Sequence, residues 1–151
     1  FPMLKNFLPH NMKKFALACA LLVSTSAFAC GFKSSDSQLV RDVVKSHGGY
    51  PISDAQCAFL NKKDLALSVS GDATVLRGVA VAWVLVKLRD LKTGVVSDFS
   101  QYSTYVNASQ PSQDFAQNLM YNALTDAISA FEFETAADQV EKYLGKNKSR
   151  K

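Results

Sequence analysis

The chain has 151 residues, of which 48% are hydrophobic and 20% are charged, a composition suited to one globular domain. Its net charge of +4 is concentrated at the two ends. Removal of the N-terminal segment up to residue 29, which contains Lys5, Lys13 and Lys14, leaves 14 basic residues against 13 acidic ones. Several of the remaining basic residues crowd the last positions of the chain. The body therefore lacks the basic face of a nucleic-acid-binding domain, and we expect no nucleic-acid partner.

The N-terminal segment has the order of a secretory signal peptide. From Met12, two lysines precede an apolar run, and a small-x-small cleavage site ends at Ala29. The run is shorter than the about 20 residues that span a bilayer. We expect residues 1–11 to be an upstream remnant, residues 12–29 to be a leader cleaved after Ala29, and the protein to be periplasmic or secreted without a transmembrane segment. A buried N-terminal helix is the alternative.

Cleavage at that site would leave two cysteines, Cys30 and Cys57. Two cysteines in an exported chain predict one disulfide, and closing a loop of this length constrains the unfolded chain by about 3 kcal/mol. The alternative makes Cys30 the lipidated first residue of a lipoprotein, although Ala27 and Phe28 fit a lipoprotein signal poorly. Lipidation would also leave Cys57 as a single thiol. The wide spacing between these cysteines and His47 does not match a metal site.

Three segments carry strand patterns. Leu65, Leu67 and Val69 alternate with small or polar residues, and the run that follows is rich in valine and contains Trp83. We predict a three-stranded antiparallel β-meander over about residues 65–70, 75–89 and 95–106. Its turns are expected at 71–72, where Gly and Asp adjoin, and at 90–94.

Helical patterns flank these strands. We predict a short helix that begins near Ser37 and ends before two glycines, and a second one capped by Ser53. Ser112 is expected to cap the longest helix, and Thr135 a last helix that ends at Gly145. The apolar stripe of the longest helix is better explained by packing on the sheet than by a ligand site. The predicted class is therefore α+β, with one domain over residues 30–145 and a basic flexible tail at 146–151.

The residue types needed for catalysis are scarce. His47 is the single histidine after the leader, so neither a Ser-His-Asp triad nor a site with several histidines can be assembled. We predict no catalytic residue, no cofactor and no metal. The alternative is a carboxylate-dependent hydrolase, which would use an acidic group near the last helix junction: Asp126, Glu132, Glu134 and Asp138.

The third strand supplies a candidate binding surface instead. Phe99, Gln101, Tyr102 and Tyr105 form an aromatic and polar set of the kind enriched at interfaces, whereas Trp83 is expected in the core. The sequence thus indicates a small exported, non-catalytic binding or inhibitor protein, similar in role to immunity proteins. Its partner would be another envelope or secreted protein, and the sequence does not indicate the oligomeric state.

The segment LVKLRDLKTGVVS, in which a valine-rich strand runs into a D-x-x-T-G turn and a second strand, resembles the hairpin of the curli-secretion lipoprotein family. The resemblance is confined to this hairpin, and it assigns no site residue. It implies an alternative role as an accessory or assembly factor of an envelope complex, with membrane anchoring as one form of that role.

Overall fold

The computed structural model describes residues 30–148, so the predicted leader at 12–29 and the end of the tail at 149–151 lie outside the described residues. The secondary structure elements in chain order are β1 (Ser34–Asp36), α1 (Gln38–Ser46), α2 (Asp54–Lys62), β2 (Leu65–Leu76), β3 (Val79–Asp90), β4 (Gln101–Asn107), α3 (Gln113–Ser129) and α4 (Phe133–Lys148). The fold belongs to the predicted α+β class.

The four strands form one sheet in the order β1-β2-β3-β4. The pairs β2–β3 and β3–β4 are antiparallel, as predicted, but β1 adds a parallel strand along residues 67–69 of β2. The prediction of a three-stranded, purely antiparallel sheet is therefore wrong in this detail. Because β1 consists of three residues, Ser-Ser-Asp, it carries no hydrophobic alternation by which a strand could be recognised.

The disulfide between Cys30 and Cys57 confirms the predicted pairing, with Cα atoms 6.0 Å apart. Cys57 is buried in α2, and Asn61, one turn later, donates a hydrogen bond from Nδ2 to the carbonyl of Gly31 at 2.9 Å. The disulfide and this hydrogen bond fix the segment just before β1 to α2. They hold the short strand beside β2.

The central hairpin turns later than predicted. The expected turn at 71–72 lies inside β2, which runs on to Leu76, and the chain reverses instead at Arg77 and Gly78. Both turn residues have positive φ, of 49° and 79°, as a two-residue type I′ hairpin requires. The predicted strand at 75–89 is thus divided between the end of β2 and β3.

The second turn follows the predicted pattern closely. The buried carboxylate of Asp90 accepts hydrogen bonds from the backbone N–H groups of Lys92 and Thr93, at 3.1 and 2.7 Å, and from the Thr93 hydroxyl at 2.7 Å. Burial alone would raise the pKa of Asp90, but these hydrogen bonds outweigh it and leave the pKa below its ordinary value.

The third strand is shorter than predicted, because residues 95–100 do not form a continuous ladder with β3. Arg89 and Val96 make one isolated bridge, and regular pairing begins at Gln101. In between, the buried side chain of Ser97 accepts from the N–H of Leu88 and donates to the carbonyl of Phe99. These side-chain bonds replace ladder hydrogen bonds and bend the chain out of the sheet.

The helices end and begin largely where their capping residues predict. Ser53 forms a capping box with Gln56, and Ser112 accepts from the N–H of Phe115 at 3.2 Å. The last helix differs, because α4 begins at Phe133 rather than after Thr135, and it continues through Gly145 to Lys148. The predicted end of the folded body at residue 145 therefore falls inside a helix.

The core lies between one face of the sheet and the helices. In β3 the residues with even numbers from Ala80 to Leu88 are completely buried, and α3 contributes a matching buried stripe. The largest fully buried side chains are those of Leu60, Leu67, Leu88, Met120, Leu124 and Ile128. α3 packs across β2, β3 and β4 on this side of the sheet, and within residues 30–148 no helix covers the exposed side chains of the opposite face.

Candidate protein-binding surface

The face of the sheet that points away from the helices, called here the open face, is rich in apolar side chains. Tyr102 and Val106 are 57% and 66% exposed, and Leu76 is 58% exposed. Between them lies a half-buried row on β3, formed by Val79, Val81, Trp83 and Leu85. Exposed apolar surface that is continuous across three strands is typical of interaction sites.

The strand register sets the order of these side chains. Leu85 lies opposite Tyr102, Trp83 opposite Thr104, and Val81 opposite Val106. The rings of Trp83 and Tyr102 approach each other diagonally, with centroids 6.3 Å apart and planes inclined by 30°. The two rings form the centre of the open face, and aromatic side chains at a central position carry much of the binding energy in protein interfaces.

Charged groups mark the two sides of the open face. Asp72 on β2 is exposed beside Trp83, its cross-strand neighbour. Lys87 and Arg89 extend the same row of β3 beyond Leu85. An apolar centre with charges at its margin has the organisation of a protein interface with a polar rim.

The predicted binding residues lie on both faces of the sheet. Of the four, Tyr102 belongs to the open face, whereas Gln101 and Tyr105 point to the helix side. Phe99 is half-buried, packs edge-on against Phe131 with ring centroids 5.4 Å apart, and donates its N–H to Gln139. The side chains of this strand alternate between the two faces of the sheet, so its aromatic residues do not form one surface.

Tyr105 is instead part of the contact between β4 and α3. Its hydroxyl donates to the carboxylate of Asp126, and this hydrogen bond raises the pKa of the Tyr105 hydroxyl. Two residues before it, Ser103 also faces the helix side. The geometry thus assigns a structural contact to Tyr105 and leaves Tyr102 to face solvent.

Trp83 was expected in the core, and this expectation is wrong. The core positions of β3 have even numbers, so Trp83 falls on the open face. The core positions next to Trp83 hold small residues, Ala80 and Ala82, so the size of a side chain does not indicate the core face here. Which face of β3 is buried can be recognised only once the strand register is known.

His47 follows α1 and is engaged in structure. Its Nδ1 donates to the carbonyl of Val43 at 2.9 Å, and its Nε2 lies 3.0 Å from Oδ1 of Asn118. The imidazole also stacks on the ring of Tyr121, with centroids 4.2 Å apart. These contacts join the C-terminal end of α1 to α3.

The four carboxylates considered for catalysis are all exposed. Asp126 accepts from Tyr105, and Glu132 accepts from the hydroxyl of Thr135 at 2.9 Å. Within residues 30–148, no group of three His, Cys, Asp or Glu side chains is placed to hold a metal ion. The acidic junction thus has the geometry of a solvated helix junction.

A cavity of about 380 Å³ adjoins the disulfide and is lined by Phe32, Tyr50 and Ile52, among others. Beside it, the hydroxyl of Tyr50 and Oδ1 of Asp36 are buried, and neither has a hydrogen-bond partner among residues 30–148. Burial raises the pKa of the Tyr50 hydroxyl, and the neighbouring carboxyl group of Asp36 raises it further. Because both atoms are closed off from solvent, a molecule in the cavity would not reach them, so the open face is the stronger candidate site.

Of the helices between residues 30 and 148, none is both long enough and apolar enough to cross a membrane. No family model matches the chain, and no curated protein matches it. Among solved structures, the chain is similar to the dodecamer of a PelC variant from Paraburkholderia phytofirmans, with 14% sequence identity and a TM-score of 0.38. The match covers 64% of this chain and 88% of that one.

Proposed function

We propose that the protein is an exported, non-catalytic binding module whose partner, another envelope or secreted protein, docks on the open face of the sheet. The observation that carries this proposal is the exposed aromatic and aliphatic surface around Trp83 and Tyr102, which no described helix covers. The signal-like leader, together with the disulfide that an oxidising compartment would maintain, supports export.

The chemistry of the open face defines the partner that would fit. Trp83, Leu85 and Tyr102 offer a flat apolar centre, which suits an apolar or aromatic patch rather than an inserted peptide loop. Lys87 and Arg89 at one side favour carboxylates at the matching edge of the partner. We therefore propose a partner with an apolar centre and an acidic margin.

The test is affinity capture from the native envelope fraction with the exported protein as bait, compared with the variants Trp83→Ala and Tyr102→Ala. Both variants truncate rings of the open face, so we expect the bound partner to be reduced by at least about tenfold, as is typical of central interface aromatics. Asn122→Ala is the matched control, because Asn122 is exposed on α3, on the other side of the sheet. This control should retain the partner fully.

A partner retained equally by both ring variants and by the control would rule out the open face as its docking site. Membrane fractionation addresses the alternative role in an envelope assembly. Recovery of the protein in a large membrane-associated assembly would favour that alternative, whereas a specific complex with one soluble or envelope protein would favour the binding module.

A further inference from the structure

The outer edge of β4 has free backbone hydrogen-bonding groups, and their identity follows from the register. In β3, the carbonyl of Leu88 accepts from Ser97 at 2.9 Å and the N–H of Asp90 donates to Val95 at 2.8 Å. Even-numbered residues of β3 therefore direct their peptide groups to the β4 side, and odd-numbered ones to the β2 side, because antiparallel pairs alternate. Trp83 is odd, so its partner Thr104 forms a pair without mutual hydrogen bonds.

It follows that the N–H and C=O groups of Thr104 point away from β3. The same holds for Tyr102 and Val106, which lie opposite the odd-numbered residues Leu85 and Val81. Within residues 30–148, the sole hydrogen bond to these outward groups is a long one, from Gln101 Nε2 to the carbonyl of Tyr102 at 3.5 Å. The strand thus presents a nearly unpaired edge.

This edge lacks the usual protection against strand pairing. The sequence of β4, QYSTYVN, contains no charged residue and no proline, and its register with β3 continues to Asn107 without a bulge. The residues that direct their peptide groups outward are also those whose side chains lie on the open face, where Tyr102 and Val106 are among the most exposed apolar residues.

We propose that β4 pairs with β4 of a second copy of this chain, antiparallel and centred on Thr104. In this register Thr104 lies opposite Thr104 of the partner subunit, and Tyr102 lies opposite Val106 of the partner subunit. The outward peptide groups of both copies then satisfy one another. Each exposed aromatic ring packs against a β-branched side chain, a favourable cross-strand combination.

The occupant is a second copy because the strand is complementary to itself. The arrangement is two-fold, so the pair of Tyr102 and Val106 of the partner subunit occurs twice in the dimer. With no charge in β4, two copies meet without like-charge repulsion across the strands. A seven-residue edge is small beside the about 800 Å² per partner of a stable interface, so the dimer is weak and depends on concentration.

The pairing rests on the unpaired edge of β4 and not on the proposed function. It leaves Trp83 and Leu85 accessible, whereas Tyr102 takes part in both surfaces. Two paired sheets would place two open faces side by side on one continuous surface. Such a dimer would offer two equivalent docking sites to the envelope or secreted protein that binds the open face. Two linked sites raise the overall affinity for a target that can occupy both, without any new contact.

The experiment is analytical ultracentrifugation of the exported, disulfide-bonded protein over micromolar to submillimolar concentrations. The wild-type protein should shift from monomer to dimer across this range. Thr104→Lys should remain monomeric, because it places two ammonium groups directly opposite each other. Ser70→Lys is the matched control: Ser70 is exposed on the same face but on β2, so this variant should dimerise like the wild type.

A second measurement fixes the register and does not rely on the folding of the lysine variant. Thr104→Cys should be cross-linked into a dimer by an ethane-bridged bis-maleimide. Tyr102→Cys should not, since the two introduced thiols would lie four residues apart along the paired strands. A wild-type monomer at the highest concentration, a Thr104→Lys dimer as stable as the wild-type one, or equal cross-linking of the two cysteine variants would overturn the proposal.

Discussion

The carbonyl oxygen of Trp83 lies so close to Gly71 that a Cβ atom on Gly71 would come within 2.6 Å of it. The same Cβ would lie 2.7 Å from the terminal methyl group of Met120 on α3. The glycine thus lets the helix approach the sheet at the centre of β2. Its φ is not positive, so the requirement for glycine here is spatial rather than conformational.

We predict that Gly71→Ala lowers the free energy of unfolding by about 1–3 kcal/mol, because the backbone oxygen cannot move aside without distorting the ladder. Urea unfolding of the oxidised protein measures this. Gly145→Ala is the control, since a Cβ at Gly145 would meet no atom within 4 Å. In helix α4 that variant should be neutral or slightly stabilising, and equal destabilisation by the two variants would contradict the steric argument.

The hydrogen bonds of Asp90 lead us to predict that the stability of the fold decreases at acidic pH. Hydrogen bonds from Thr93 and Lys92 more than offset its burial, so its folded pKa lies below the ordinary value of 3.8. A carboxylate with a lowered folded pKa stabilises the protein above its unfolded pKa, and this stabilisation is lost as the pH falls through the folded pKa. The turn should therefore weaken below about pH 4.

Asp90→Asn should lower the free energy of unfolding at neutral pH by about 1–3 kcal/mol, as expected for a buried charge-assisted acceptor. The variant should also lose less stability than the wild type on going to acid, which unfolding curves at several pH values would show. Asp138→Asn, at an exposed position of α4, is the control and should follow the wild-type profile. An Asp90→Asn variant with the wild-type acid dependence would refute this role.

We predict that loss of the disulfide lowers the overall stability and also loosens the structure near β1. Cys57→Ser, or reduction of the wild type, should cost about 2–4 kcal/mol, because the covalent loop spans 27 residues. The loss should be greatest near β1, since the disulfide holds the chain before Ser34 against α2. Hydrogen exchange by mass spectrometry would show faster exchange in the segment from residue 31 to 37 than in β3; uniform acceleration would contradict the local effect.

The contacts of His47 lead us to predict that this residue stabilises the packing of α1 against α3. His47→Ala removes both ring hydrogen bonds and the stack on Tyr121, and we expect it to lower the free energy of unfolding by about 1–2 kcal/mol. His47→Phe keeps an aromatic ring against Tyr121 and should recover part of this loss. Lys45→Ala, at an exposed position in the last turn of α1, should change little, and a loss as large as that of His47→Ala would contradict the role of the ring contacts.

Much of the fold could be predicted because it depends on local chemistry. Ser53 and Ser112 cap helices independently of the tertiary packing, because their hydroxyl groups accept hydrogen bonds from backbone N–H groups three residues later. The turn at Asp90 is equally local. The pairing of Cys30 with Cys57 could be predicted because these are the two cysteines that remain after the predicted leader, so a disulfide within the chain has one possible pairing.

The candidate site could be predicted only in part, because it depends on which face of each strand meets α3. The side chains of β4 alternate between the two faces of the sheet, but alternation alone does not say which face is covered. Trp83 was assigned to the core because of its size, whereas the structure fills that part of the core with Ala80 and Ala82 and turns Trp83 outward.

The sequence by itself determined the α+β class, the caps of α2 and α3, the antiparallel pairing of the long strands and the disulfide. Each of these depends on contacts between residues close in sequence or on the small number of possible partners. The tertiary structure decided where β2 ends, that Ser34–Asp36 forms a strand, and that Trp83 and Tyr102 share an open face. The physical reason is that Gly71 in isolation resembles a turn residue. In the fold it lies within β2 and pairs with Val84, and the position needs glycine because the Trp83 carbonyl and Met120, far along the chain, occupy the space of a side chain.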